Sequence, residues 1–249
     1  MKLFAYFTPQ GITPAALTGK PAVVIDVFRA TTTMVAALAS GAKVILPAES
    51  SEDALKIAAN LEKGARLLAG ERRCERIPGF DLGNSPLEMT PGAVGGRTLV
   101  MTTTNGTPAF GASESARPVF VGAITNLSAV AAAARAALDE AGELHLVCAG
   151  REKLFALEDA YLAGRLAIAA LAGKSRSRSA VDLNDAATAA MELVRRMGTK
   201  WKGVITAGAA ARELVRLKFK ADVVAATEVD RHDIVPVYAD RRITIPVRG

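Results

Sequence analysis

The chain has 249 residues, half of them apolar and 5% aromatic, with 31 basic against 25 acidic side chains and a formal net charge of +6. That length and composition exclude a disordered tail and allow a sizeable core. The two cysteines, Cys74 and Cys148, form no CxxC pair, which excludes a zinc cage built from thiolates alone and makes reduced thiols in the cytoplasm the expectation.

In chain order, the opening KLFAYF reads as a strand, Lys2–Phe7. Its apolar part is too short for a signal peptide, and Pro9, Gln10 and Gly11 end it. No apolar run approaches the length of a membrane span, so a cytoplasmic protein without a membrane partner is expected. A β-branched run predicts a second strand, Ala22–Val27, which breaks into threonines and a helix, Thr32–Ala39. Strand Lys43–Leu46, helix Ser51–Leu61 and strand Arg66–Ala69 follow. From Gly79 to Gly96 the periodicity stops. GFDLGNSPLEMTPGAVGG is rich in turn formers, and a loop this long points to function. Alternation resumes with strand Thr98–Thr102, helix Thr107–Ser113, strand Val119–Gly122, helix Leu127–Glu140, strand Glu143–Cys148 and helix Leu157–Ala172. GKSRSRS (Gly173–Ser179) is the one dense basic stretch; without interleaved aromatics it reads as a solvated loop and not a nucleic-acid site. Helices Asp185–Arg196 and Ala209–Leu217 and an extended tail, from Ile234–Tyr238 to the closing ITIPVRG, complete the chain.

This alternation predicts an α/β fold: a three-layer α/β/α arrangement around a mostly parallel, mixed central sheet, in a single domain over residues 1–249. A weak internal repeat suggests a duplication. Setting Val44 against Val119 gives an interval of 75 residues and places Asp26–Thr32 against Met101–Thr107; Leu67–Arg72 then faces Val147–Glu152 after five more residues. Alternating α/β sequences imitate one another easily, and the repeat has to be weighed against that chance likeness.

Two stretches carry the chemistry, VVIDVFRATTT (Val23–Thr33) and TLVMTTTNGT (Thr98–Thr107). Each is a strand opening into hydroxyls at a helix start, a natural anion cradle, and two cradles suit a ligand with more than one anionic group. They are expected to converge on one electropositive pocket at the carboxyl edge of the sheet. Asp26 ends its strand, Glu71 follows LLAG, Asp81 lies in the glycine-rich loop, and Glu158 and Asp159 open the helix after VCAG. Carboxylate oxygens from several strand ends suit Mg²⁺. For Glu158 and Asp159 alone, complementing the helix dipole is the simpler reading; for Asp26 the simpler readings are an N-cap or an ion pair to Arg29. Arg29 offers a planar guanidinium for phosphate, carboxylate or sulfonate oxygens. Neither a GxxxxGK[ST] phosphate loop, a GxGxxG turn nor a GxSxG elbow is present, and His145 and His232 are not spaced as a metal pair.

VIDVFRATTT, GERRCERIPGFDLGNSP (Gly70–Pro86), TTTNGT (Thr102–Thr107) and the AG…EDA stretch (Ala149–Ala160) together resemble the 2-phosphosulfolactate phosphatase family, in family order from Val24 to Gly164. The resemblance implies an α/β/α fold and a Mg²⁺-dependent phosphatase that converts 2-phospho-3-sulfolactate to 3-sulfolactate and phosphate, a step of coenzyme M biosynthesis. Related phosphate esters of 2-hydroxy acids are implied as further substrates. It also implies the site residues. Asp26, Arg29, Glu71 and Asp81 are carried over as catalytic, and Thr31, Thr32, Asn84, Ser85, Thr103, Thr104 and Asn105 as substrate-binding. Asp26, Glu71, Asp81, Glu158 and Asp159 are carried over as metal ligands. The expected partner is a small polyanionic phosphate ester, with no nucleic acid and a homodimer left open. The rival reading is a non-catalytic anion- or nucleic-acid-binding α/β protein, which would bind anions without turnover and with strong salt dependence.

Overall fold

The computed structural model describes residues 1–173 and 181–246, so the basic stretch Gly173–Ser179 lies, after its first residue, outside the described residues, as does the end of the tail. The strands are β1 (Lys2–Tyr6), β2 (Ala22–Ile25), β3 (Val44–Pro47), β4 (Arg66–Arg72), β5 (Glu75–Arg76), β6 (Thr98–Thr102), β7 (Val119–Gly122), β8 (Glu143–Cys148), β9 (Asp182–Leu183), β10 (Val237–Ala239) and β11 (Arg242–Thr244). The helices are α1 (Pro14–Leu17), α2 (Ala30–Ala39), α3 (Ser51–Ala59), α4 (Pro91–Val94), α5 (Gly106–Ala112), α6 (Leu127–Ala141), α7 (Leu157–Ala170), α8 (Asp185–Met197), α9 (Trp201–Thr206), α10 (Ala209–Arg216) and α11 (Lys220–Ala226). Among the described residues no helix is long and apolar enough to cross a membrane.

Strand alternation sorts side chains between layers. In β2, Val23 and Ile25 pack beneath α6, α7 and α8, while Val24 joins α2 and α5 on the other face. In β6, Leu99 and Met101 face the α2 and α5 side, and Val100 faces α3. Helix α2 is buried from Ala30 to Leu38, so it forms the floor shared by both ends of the sheet. The result is the expected three-layer α/β/α architecture around a mixed, mostly parallel sheet.

The strand order is β5-β4-β6-β3-β11-β10-β7-β2-β8-β1-β9. Two parallel blocks, β4-β6-β3 and β7-β2-β8-β1, are stitched by the antiparallel hairpin β10–β11, which the tail supplies. The first strand of each sequence half is exchanged: β2 lies between β7 and β8, and β6 lies between β3 and β4. The registers correspond. Val44 pairs with Thr98 as Val119 pairs with Ala22, and Arg66 pairs with Thr98 as His145 pairs with Ala22. The interval is therefore 75 residues for the second strands, as read from sequence, but 76 for the first and 79 for the third. The sequence alignment of the loops was one residue out of register.

Three antiparallel steps separate β3 from β7, so the two blocks run in opposite directions. This corrects the expectation that both threonine loops share one carboxyl edge of a parallel sheet. In a flat sheet they would lie at opposite edges, whereas sheet twist and coiling bring them together. Gly106 marks the contact. A Cβ there would collide with Ala30 Cβ and lie 2.9 Å from Asp26 Oδ2 and 3.1 Å from Thr103 Oγ1. Gly106→Ala is expected to push the loops apart, destabilising the fold by about 1–3 kcal/mol through overpacking. Thermal unfolding of the variant measures this; an unchanged Tm would mean the loops do not meet tightly.

Candidate active site

The two threonine loops are built alike. Thr31 Oγ1 accepts from the Asp26 N–H at 3.0 Å and donates to the Asp26 carbonyl at 2.8 Å. Thr107 Oγ1 does the same with Thr103, at 3.2 and 3.0 Å. Asp26 Oδ1 accepts from the Ala30 N–H, and Thr103 Oγ1 accepts from the Thr107 N–H. Asp26 and Thr103 therefore play matching hydrogen-bonding parts, over five residues in the first loop and four in the second, and only the first carries a carboxylate there. Thr32 Oγ1 donates to the Val27 carbonyl. The hydroxyls of Thr31, Thr32 and Thr103 are thus engaged with backbone, and all three are buried. The cradles expected to hold a bound anion instead fix the protein's own loops.

The loops open on a cavity of about 320 Å³ lined by Asp26, Phe28, Arg29, Glu71, Arg73, Cys74, Glu75, Asn84, Thr104, Asn105, Arg151, Glu152, Glu213, Arg216 and Leu217. Both sequence halves and the C-terminal helix α10 contribute. Four arginines stand against five carboxylates, which corrects the expectation of an electropositive pocket. A crevice of about 40 Å³ beside it is lined by Asp26, Glu158, Asp159, Glu213, Cys74 and Arg151 among others.

The carboxylates differ in what they have left to offer. Asp26 is 6% exposed, and burial with Glu71 and Glu158 nearby pushes its carboxyl up to about 7. Burial also raises Glu158, partly offset by its own backbone N–H and by the Arg151 charge, and raises Asp159 well above the usual range, with Asp26 and Glu158 adding to it. Asp159 accepts from the Val27 and Gly150 N–H groups. Glu71 accepts from the Cys74 and Thr104 N–H groups, both at 2.7 Å. Asp159 and Glu71 therefore brace the loops around Asp26. Asp81 is not brought to the cavity: its Oδ2 accepts from the Leu68 N–H and ties the glycine-rich loop to β4. Among the described residues no three His, Cys, Asp or Glu side chains are grouped as a ready-made metal cage.

Arg29 lines the cavity but is 3% exposed and held from within. Its guanidinium donates to Asp222 Oδ2 at 2.6 Å and to the Cys74 carbonyl at 2.6 Å, and stacks 4.4 Å over Phe219. Ser85 Oγ donates to the other Asp222 oxygen at 2.7 Å. Asp222 was not singled out from sequence. It sits on α11, 193 residues from its arginine, with no motif around it. Asn105 reaches the cavity, and its Oδ1 accepts from the Glu152 N–H. Asn84 also lines the cavity, 5% exposed, and its amide oxygen has no partner. A buried polar atom left without a partner costs about 1–3 kcal/mol, so this oxygen is open to a donor entering the cavity.

Cys74 is half-buried, and burial raises its thiol, which argues against a thiolate nucleophile. Cys148 is a buried strand thiol, as expected. His145 is buried in β8 between Tyr6 Oη and Glu143, a structural role, also as expected.

The family profile of 2-phosphosulpholactate phosphatase matches residues 6–241. Among similar proteins, one from Deinococcus radiodurans is 41% identical over 216 residues, covering 86% of each chain. One from Caldanaerobacter subterraneus subsp. tengcongensis is 36% identical over 236 residues, covering 95% of each. One from Clostridium acetobutylicum is 33% identical over 243 residues, covering 98% of this chain and all of the relative. Each carries the name "Probable 2-phosphosulfolactate phosphatase".

Proposed function

The chain belongs to the 2-phosphosulpholactate phosphatase family, and from that membership and the cavity we propose that it hydrolyses 2-phospho-3-sulfolactate, or a related phosphate monoester of a 2-hydroxy acid, with Mg²⁺ as cofactor. The observation that carries this reading is Asp26. It is a buried carboxylate with one oxygen fixed by the Ala30 N–H, placed where both sequence halves meet in a cavity sized for a small polyanion.

The donor set suits Mg²⁺, which binds through one or two carboxylates and keeps several waters. Asp26 and Glu158 would hold it, because Asp159 and Glu71 already accept two backbone N–H groups each. When bound, the cation neutralises a phosphate oxygen and relieves the crowding of buried negative charge. Asp26 orients the attacking water or attacks phosphorus directly. The free amide oxygen of Asn84 offers an acceptor to a hydroxyl or bound water of the ligand, and cavity arginines other than the internally paired Arg29 receive its anionic groups. The acidic excess of the lining keeps free anions out until a cation is in place.

Purified protein is expected to release phosphate from 2-phosphosulfolactate or 2-phospholactate with Mg²⁺, and to lose that activity in excess EDTA. Equal rates in EDTA would remove the metal from the account. Anion binding without turnover of any such ester would favour a non-catalytic binding protein.

A further inference from the structure

The pseudo-symmetry of the fold extends beyond the strands to two miniature hairpins that flank the cavity. In the first half, Arg73 and Cys74 form a two-residue turn with φ of 53° and 69°, between the paired residues Arg72 and Glu75. In the second half, Glu152 and Lys153 form the same turn with φ of 50° and 66°, between the bridged residues Arg151 and Leu154. Two successive positive φ angles are the mark of a type I′ turn. The turns are 79 residues apart, the interval set by the β4 and β8 registers. Arg72 and Arg151 are therefore corresponding residues.

Their surroundings differ. Arg72 donates to the Glu71 carbonyl at 2.8 Å and to Thr102 Oγ1 at 3.1 Å, and it is absent from the cavity lining. Arg151 uses its backbone for the turn, but among the described residues its guanidinium makes no hydrogen bond or ion pair. It lines both the main cavity and the crevice holding Asp26, Glu158 and Asp159. The other cavity cations are engaged or peripheral. Arg29 is paired with Asp222, Arg216 is bidentate with Glu213 at 2.6 and 2.9 Å, and Arg73 is exposed. Its charge acts on Glu158 and Glu213 nearby, but a half-buried guanidinium with no hydrogen-bond acceptor, beside a reactive carboxylate, is a donor fork left open.

The geometry points to Arg151, and not Arg29, as the residue that grips the phosphoryl oxygens of the substrate, with Arg29 a positioning residue held by Asp222. This inference rests on the phosphatase reading for its substrate but not for its test. Isothermal titration of the full chain with inorganic phosphate, in Mg²⁺, reads the contact without turnover. Arg151→Ala is expected to weaken phosphate binding about 10–100-fold, the worth of a hydrogen bond to a charged group. Tm should change by no more than a few degrees, since no hydrogen bond is lost and only its through-space charge on Glu158 and Glu213 goes. Arg151→Lys should recover part of the affinity, keeping the charge but not the fork. Arg72→Ala should instead lower Tm and leave phosphate binding within about twofold. With substrate, KM should rise more than kcat falls in Arg151→Ala. Phosphate binding by Arg151→Ala within twofold of the parent, or no phosphate binding by the parent, would overturn the assignment. A parent protein that binds phosphate through Arg151 but hydrolyses no ester would overturn the phosphatase reading alone.

Discussion

Asp26→Asn is expected to lower kcat at least about a hundredfold, roughly 2.7 kcal/mol of barrier. The amide keeps the size of the carboxyl and its oxygen can still accept from the Ala30 N–H, which lies 3.2 Å from Asp26 Oδ1 in the parent, so the loop should persist. What is lost is the charge that orients water, or the nucleophilic oxygen itself. The folded state should even gain, because an uncharged side chain replaces a carboxylate that burial and two acidic neighbours disfavour. Less activity at equal or higher Tm is therefore the signature to look for. A variant with near-normal turnover would reduce Asp26 to a helix cap.

Asp222→Ala should have the largest effect on stability. It leaves Arg29 buried without a counter-charge and removes the acceptor of Ser85. Breaking a buried pair from one side costs about 3–5 kcal/mol, on the order of a 10 °C fall in Tm for a chain of this size. Activity should fall with it. Arg29 also holds the Cys74 carbonyl, and Cys74 in turn donates to Glu71, so the β4–β5 turn would lose its anchor beside the cavity. Circular dichroism melts and phosphate-release rates on one preparation check both. A Tm within 2 °C of the parent, about 1 kcal/mol or less, would show that the pair is not a structural hub.

The legible part of this fold was local. β2 and β6 announce themselves by β-branched runs, and the positions of Asp26, Glu71, Asn84 and Asn105 at element ends could be read beside the family motifs. Direction and exchange of strands were not legible, because the sequence of β2 is the same whether it pairs with β3 or with β7 and β8. The threonines misled for a related reason: a hydroxyl at a strand end suits an anion and a neighbouring carbonyl equally, and here the carbonyls of Asp26, Val27 and Thr103 take it. Asp81 misled because a carboxylate in a glycine-rich loop reads as a ligand until the loop is seen folded back on Leu68. Asp222 and the α10 wall of the cavity carry no local signal, since their significance arises only from residues about 60 to 190 positions away.

If the proposal holds, the cavity between the exchanged halves takes a divalent cation and phosphate together beside Asp26. A crystal structure of the protein grown with Mn²⁺ and inorganic phosphate tests it most directly, because manganese is located by its own anomalous signal. One manganese is expected in direct contact with Asp26, with phosphate between it and Arg151. Manganese bound elsewhere with the cavity empty, in a preparation that still hydrolyses 2-phosphosulfolactate, would contradict it.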